Sequence, residues 1–234
     1  MNVEEKVAIV TGGGTGVGRE TSLQLAQRGC SVVVNYSRSK DAAEEVAEQA
    51  RSLGVKAFAH CADVADDAAC RDLVEATTRE LGRLDILIAN AGTTTFVGHD
   101  NLEGVSSEDW DRILGVNLKG PFFLAQRAAN EMLALQQAGT ITSGYIVNIS
   151  SIFGRETGGP VSYNAAKAAM ISMSANLARE AAAKGIRVNS VAPGSIIFSG
   201  GSWERRQNED PEGIGKFVED NIPGGRFGTP EEVA

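Results

Sequence analysis

Short runs rich in Val and Ile alternate along this chain with longer segments of helical pattern, and that alternation constrains the fold more than any other feature. The runs fall near Val7 to Val10, Ser31 to Tyr36, Val55 to His60, Ile86 to Ala89, Tyr145 to Ser150 and Ile186 to Val191. Helices between such strands supply the crossovers that a parallel sheet requires, and a sheet covered on both faces needs strands this apolar. The expectation is one α/β domain spanning residues 1–234. It is a doubly wound, Rossmann-like parallel sheet with its binding crevice at the C-terminal ends of the strands. At 234 residues and 42% hydrophobic content, the chain can bury a core of that size.

A glycine turn, Thr11-Gly12-Gly13-Gly14-Thr15-Gly16-Val17-Gly18, follows the first apolar run and precedes a helical pattern from Val17 to Arg28. In that context Gly12 permits the turn, Gly16 a close approach of phosphate, and Gly18 tight packing of helix on strand. The helix N-terminus offers N–H groups to a pyrophosphate. After the second strand stands Asn35-Tyr36-Ser37-Arg38, with no acid to bind a ribose 2′-OH. A guanidinium binds the 2′-phosphate that a carboxylate repels, so NADP(H) through Arg38 is favoured over NAD, with Asn35 and Ser37 as hydrogen-bond partners. The alternative is that Arg38 is one more solvated loop charge.

Downstream, Tyr163 and Lys167 are four positions apart in Ser162-Tyr163-Asn164-Ala165-Ala166-Lys167. On a helix that spacing puts phenol and ammonium on one face. The cation is then expected to draw the Tyr pKa down from roughly 10, making a proton donor for carbonyl chemistry.

These residues resemble the short-chain dehydrogenases/reductases, over about Lys6 to Ala234. Thr11-Gly12-x-x-x-Gly16-x-Gly18 is similar to that family's cofactor motif, Asn90-Ala91-Gly92 to its motif after the fourth strand, and Tyr163-x-x-x-Lys167 to its catalytic pair. The likeness looks greatest to its 3-oxoacyl-acyl-carrier-protein reductase-like members. It implies a catalytic tetrad of Asn117, Ser151, Tyr163 and Lys167, in which Asn117 positions a relay water and Ser151 bonds the substrate oxygen. By the same resemblance the cofactor site takes in Gly12, Thr15, Gly16, Val17, Gly18, Asn35, Ser37, Arg38, Asp63, Val64, Asn90, Ala91, Gly92, Tyr163, Lys167, Pro193, Gly194 and Ile196. Ser150 competes with Ser151, and Asn117 also reads as a simple helix irregularity.

The implied activity interconverts a ketone and a secondary alcohol with NADP(H), on a small carbonyl or alcohol substrate. Competing readings are a scaffold that binds the nucleotide without catalysis, and a dehydratase or epimerase that retains it. A homo-oligomer, tetramer or dimer, is expected. The stretch Thr140-Ile141-Thr142-Ser143-Gly144 lacks the basic residues that would dock an acidic carrier protein.

The segment from Leu133 to Gly144 reads as a loop, and that from Gly194 to Gly228 as a loose substrate lid. Thr229-Pro230-Glu231-Glu232 forms a capping box with almost no helix after it. That abrupt stop suggests a sequence cut short of a last strand, which would leave the sixth strand an open edge.

A formal net charge of -8 argues against nonspecific nucleic-acid binding. The acidic N-terminus and the absence of an apolar run near 18 residues favour a cytoplasmic chain without a membrane span. Cys30, Cys61 and Cys70 match no metal or redox spacing and read as reduced thiols; no metal is expected. His60 and His99 match no role in the family.

Overall fold

In a computed structural model, which describes residues 2–97 and 101–234, all six expected strands form and pair in parallel. They are β1 (Val7–Val10), β2 (Ser31–Tyr36), β3 (Ala57–Cys61), β4 (Ile86–Ala89), β5 (Gly144–Ile149) and β6 (Ile186–Val191). Their order across the sheet is β3-β2-β1-β4-β5-β6. The order reverses between β1 and β4, which opens a crevice outside their carboxyl ends. β6 is the sheet's edge on that side, with Arg187, Asn189, Ser190 and Val191 exposed along it. His99 lies outside the described residues.

Among the described residues eight α-helices accompany the strands: α1 (Gly16–Gln27), α2 (Lys40–Ser52), α3 (Asp67–Leu81), α4 (Ser107–Leu114), α5 (Gly120–Gln137), α6 (Val161–Ala182), α7 (Ser202–Glu209) and α8 (Pro211–Asn221). Side chains of β1 alternate between the two faces. Ile9 joins a core with Leu73 of α3 and with Leu124 and Met132 of α5, against which Leu177 of α6 also packs. Ala8 and Val10 join the opposite core, with Leu23 and Ala26 of α1 and Val46 of α2. Burying apolar area on both faces, at about 25 cal/mol per Å², is what holds so continuous an apolar strand in the middle of the sheet.

Two expectations about loops are corrected. Leu133 to Gln137 are helical, because Leu, Ala and Gln propagate α5 until Gly139, at φ +74°, takes the left-handed position that ends it. The segment from Gly194 to Gly228 is not loose: it carries α7 and α8. Asp210 caps α8 by accepting from Gly213 N at 2.9 Å, with Pro211 at the first helical position. Trp203 stacks on Phe217 with centroids 4.9 Å apart, and an Ile196–Gly228 bridge ties the base of the segment together.

The capping box at Thr229 is present, with Thr229 N donating to the Glu232 carboxylate at 2.9 Å over a single 3-10 turn. Arg226 beside it, with the Thr229 N–H, holds the Glu232 carboxyl down to about 2. The three thiols are free. Burial pushes Cys30 up to about 12 and Cys70 up to about 11, while Cys61 is exposed. His60 contacts the Asp72 carboxylate at 3.0 Å, away from the crevice chemistry.

At the opposite, amino-terminal end of the sheet, Asp85 is fully buried. Its carboxylate accepts from Val7 N at 2.9 Å and from Arg83 at 2.7 and 2.8 Å, and Lys6 stands 3.6 Å away. Asp85→Ala removes the acceptor that all three groups share. A loss of about 3 kcal/mol in urea unfolding is expected; a change under about 0.5 kcal/mol would show that water replaces the carboxylate freely.

Candidate active site

The crevice is built on the end of β1. Thr11 is buried, and its hydroxyl accepts from the N–H groups of Asn90 and Ala91, both at 2.9 Å. Asn90 Nδ2 returns bonds to the carbonyls of Thr11 at 2.9 Å and Gly12 at 3.3 Å, stapling the end of β4 to the glycine turn. Gly12 and Gly16 sit at φ +59° and +52°, where side chains other than glycine's are strained. A Cβ on Gly18 would collide with the Gly12 carbonyl oxygen.

Two residues of this region behave differently from expectation. Asn35 is 1% exposed, and its amide is used on the fold. Nδ2 donates to Ala62 O at 3.0 Å and to Tyr36 O and His60 O at 3.3 Å, while Oδ1 accepts from Gly12 N at 3.4 Å. Asn35 is thus a post under the turn, its amide spent on the fold at the cavity wall. At Gly16, the close approach expected of a phosphate is made by the ring of Phe198, 2.8 Å from where a Cβ would stand.

A cavity of about 700 Å³ runs from Ser37 and Arg38 at one end to Phe96 and Trp203 at the other. Of the expected site residues, Gly12, Thr15, Val17, Asn35, Ser37, Arg38, Asp63, Val64, Asn90, Ala91, Gly92, Ser151, Tyr163, Lys167 and Gly194 line it. Gly16, Gly18, Asn117, Pro193 and Ile196 are not among the residues that line it. Pro193 O is occupied by Ile152 N at 2.9 Å, and Ile196 pairs with Gly228.

Among the described residues the wall carries five cations, Arg38, Arg112, Lys167, Arg205 and Arg206, against one acid, Asp63, in a chain whose net charge is -8. That sign suits an anionic ligand. The size, the glycine cradle and the cationic wall together fit a dinucleotide.

On α6, Tyr163 and Lys167 share one face, with the ammonium 5.5 Å from the centre of the Tyr ring. Lys167 is 2% exposed, and Nζ donates to Ile149 O at 2.8 Å. Burial lowers its pKa to about 8. Tyr163 departs from expectation: burial raises its pKa, and a hydrogen bond with Ser151 opposes that shift without overcoming it. Removing the phenolate from water outweighs what the Ser151 hydrogen bond returns.

Ser151 and Ser150 divide clearly. Ser150 donates to Lys167 O at 3.0 Å, a bond within the fold, whereas Ser151 meets both Tyr163 and Phe153 N. Asn117 is buried in a π turn, Gly115–Lys119. Both hydrogens of its Nδ2 are spent, on Thr93 O at 2.7 Å and Ile113 O at 2.9 Å, and Oδ1 accepts from Thr93 N at 3.3 Å. The side chain keeps no donor for a relay water.

A family model described as short chain dehydrogenase matches residues 6–210. The chain belongs to the short-chain dehydrogenases. It is 41% identical over 194 residues to the 3-oxoacyl-acyl-carrier-protein reductase FabG of Staphylococcus aureus, covering 82% of this chain and 75% of that one. Among solved structures, it matches a putative short-chain alcohol dehydrogenase from Sinorhizobium meliloti at a TM-score of 0.86 and 32% identity, over 99% of this chain and 87% of that one. NAD+-bound xylitol dehydrogenase matches at a TM-score of 0.88 and 27% identity, over 100% and 90%. As a short-chain dehydrogenase, the protein is an NAD(P)-dependent oxidoreductase.

Sequence reasoning passed over Phe96, Phe153, Arg112 and Arg206, all on the cavity wall of this short-chain dehydrogenase. Arg206 carried a legible signal, since it follows Trp203 by three positions and so shares its helix face. Phe96 and Phe153 carried none, because only the folded loops bring them to the crevice.

Proposed function

We propose that this enzyme interconverts a ketone and a secondary alcohol with NADP(H), using Tyr163 as the proton donor and acceptor. The observation that carries the reading is the Tyr163 hydroxyl. It is held by Ser151 on the wall of the same cavity as the glycine turn, with the Lys167 ammonium beneath. When bound, the nicotinamide supplies or accepts the hydride at the substrate carbon. Tyr163 holds its proton at neutral pH, the form needed to protonate a carbonyl oxygen as that oxygen gains charge. Ser151 donates to the same oxygen and stabilises the developing charge.

At the other end of the cavity Arg38, exposed beside Ser37, meets the adenosine 2′-phosphate. The segment 194–228 covers the substrate end as a structured lid. The name of the Staphylococcus aureus relative points to a 3-oxoacyl group on a carrier protein. In this chain Thr140 to Gly144 offer no cation for such a partner.

A panel of ketones and alcohols, followed by absorbance of the reduced nicotinamide, tests the reaction. Failure of every member would remove the reading, whereas cofactor that stays bound with no net turnover would favour a dehydratase or epimerase. Cofactor choice has its own test. Arg38→Ala is expected to raise KM for NADPH by on the order of thirtyfold and KM for NADH by no more than about twofold. Equal effects would take Arg38 out of the site.

A further inference from the structure

At the substrate end of the cavity, the Arg206 guanidinium lies 4.3 Å from the centre of the Phe96 ring and 4.6 Å from that of Trp203. Trp203 is itself fixed by Phe217, at 4.9 Å, and by Phe227, at 5.1 Å. Aromatic contacts of this kind hold a guanidinium while leaving its N–H donors, which lie in its own plane, available to a ligand. Among the described residues no carbonyl or carboxylate accepts from Arg206. Its neighbour Arg205, by contrast, donates to Gly200 O at 2.7 Å, and Arg226 is paired with Glu232.

Arg206 also stands at a junction. It lines both the main cavity, with Tyr163, and an adjoining space of about 260 Å³ walled by Phe96, Val97, Phe153, Pro160, Trp203 and Phe217. The cofactor reading places Arg38 on the dinucleotide at the far end, so Arg206 is surplus to that role. A planar carboxylate matches the guanidinium fork, and an apolar body matches the adjoining walls.

We propose that Arg206 determines specificity by binding the carboxylate of an oxo acid whose apolar body occupies the adjoining space, while its ketone faces Tyr163. This rests on the ketone–alcohol reading of the site. In the reduction the carbonyl carbon receives the hydride and its oxygen receives the Tyr163 proton. The carboxylate is unchanged and serves only as a handle.

The test compares acetoacetate, levulinate and benzoylacetate, each with its own methyl ester. Affinity is measured by titration calorimetry against the full chain with NADP+, where no ketone is turned over, and kinetics are measured separately with NADPH. At least one acid is expected to bind tenfold or more tightly than its ester, on the order of one charge-assisted bidentate contact. Benzoylacetate should lead acetoacetate, because its ring can enter the apolar space.

Arg206→Gln should bring the acid-to-ester ratio close to one, and Arg206→Lys should keep only part of it. The ratio is internal to each variant, so a poorly folded variant, which loses both ligands together, does not mimic the result. Acids that bind no better than their esters, or a ratio untouched by Arg206→Gln, would overturn the proposal. Turnover of the esters in that case would leave the ketone–alcohol reading standing. Preferential acid binding with no turnover of any compound would retain the anion site and remove the reaction.

Discussion

Tyr163→Phe is expected to lower kcat for ketone reduction by about a thousandfold, the size of one general acid, while NADPH affinity changes by less than about twofold. The substitution removes a single oxygen from a ring that is mostly buried and leaves the α6 backbone in place. What is lost is the proton delivered to the substrate oxygen, an interaction that strengthens only as charge develops, so the effect falls on kcat and spares cofactor binding. Rapid-mixing turnover together with a fluorescence titration of NADPH separates the two. A variant that keeps more than about a tenth of wild-type kcat would hand the acid role to another group.

Lys167→Met should have two effects of opposite benefit, a loss of activity and a gain in stability. The Lys167 pKa is 10.5 in an unfolded chain and about 8 when folded. The unfolded state therefore binds more protons between those values, and stability rises with pH across that window. Below pH 8 both states are protonated, and the buried ammonium costs the fold about 3 kcal/mol. Met fills the same volume without charge, and it forfeits the bond to Ile149 O, worth about 1 kcal/mol.

The ligand-free variant should thus be about 2 kcal/mol more stable at pH 7, and the advantage should fade as pH rises towards 10.5. Its turnover should fall at least about a hundredfold, and the wild-type rate should decline above pH 8 as the ammonium is lost. Thermal unfolding at pH 7 and pH 10 decides the stability part. A variant that melts lower at both would show that the ammonium is not desolvated at this site.

Much of this could be read from residue order alone. Six apolar runs marked the strands to within two residues, because a strand buried on both faces leaves a continuous signature. The glycine turn and the Tyr163–Lys167 spacing were legible because their geometry is local. The structural use of the Asn35 amide was not legible for the opposite reason. Its role as a post depends on carbonyls of β3 and the residues that follow it, which only strand pairing brings near. The direction of the Tyr163 shift likewise depends on how much water the folded site excludes, a quantity with no signature in the spacing of two residues. Helices α7 and α8 were obscured by glycines at 200 and 201, although Asp210-Pro211-Glu212 carried a legible helix start.

The π turn at Gly115–Lys119 has a consequence for how α4 and α5 are aimed. The two helices form one rod without a break, and a wider turn within it accommodates a residue that an α ladder has no place for. That extra residue rotates everything beyond it by about 100° around the rod. Arg112 can therefore face the cavity while Leu124, Ala128 and Met132, further along, pack with Val116 into the core against the sheet. Deleting one residue from this turn would exchange its wide hydrogen bonds for ordinary α-helical ones and swing the apolar stripe of α5 out towards solvent.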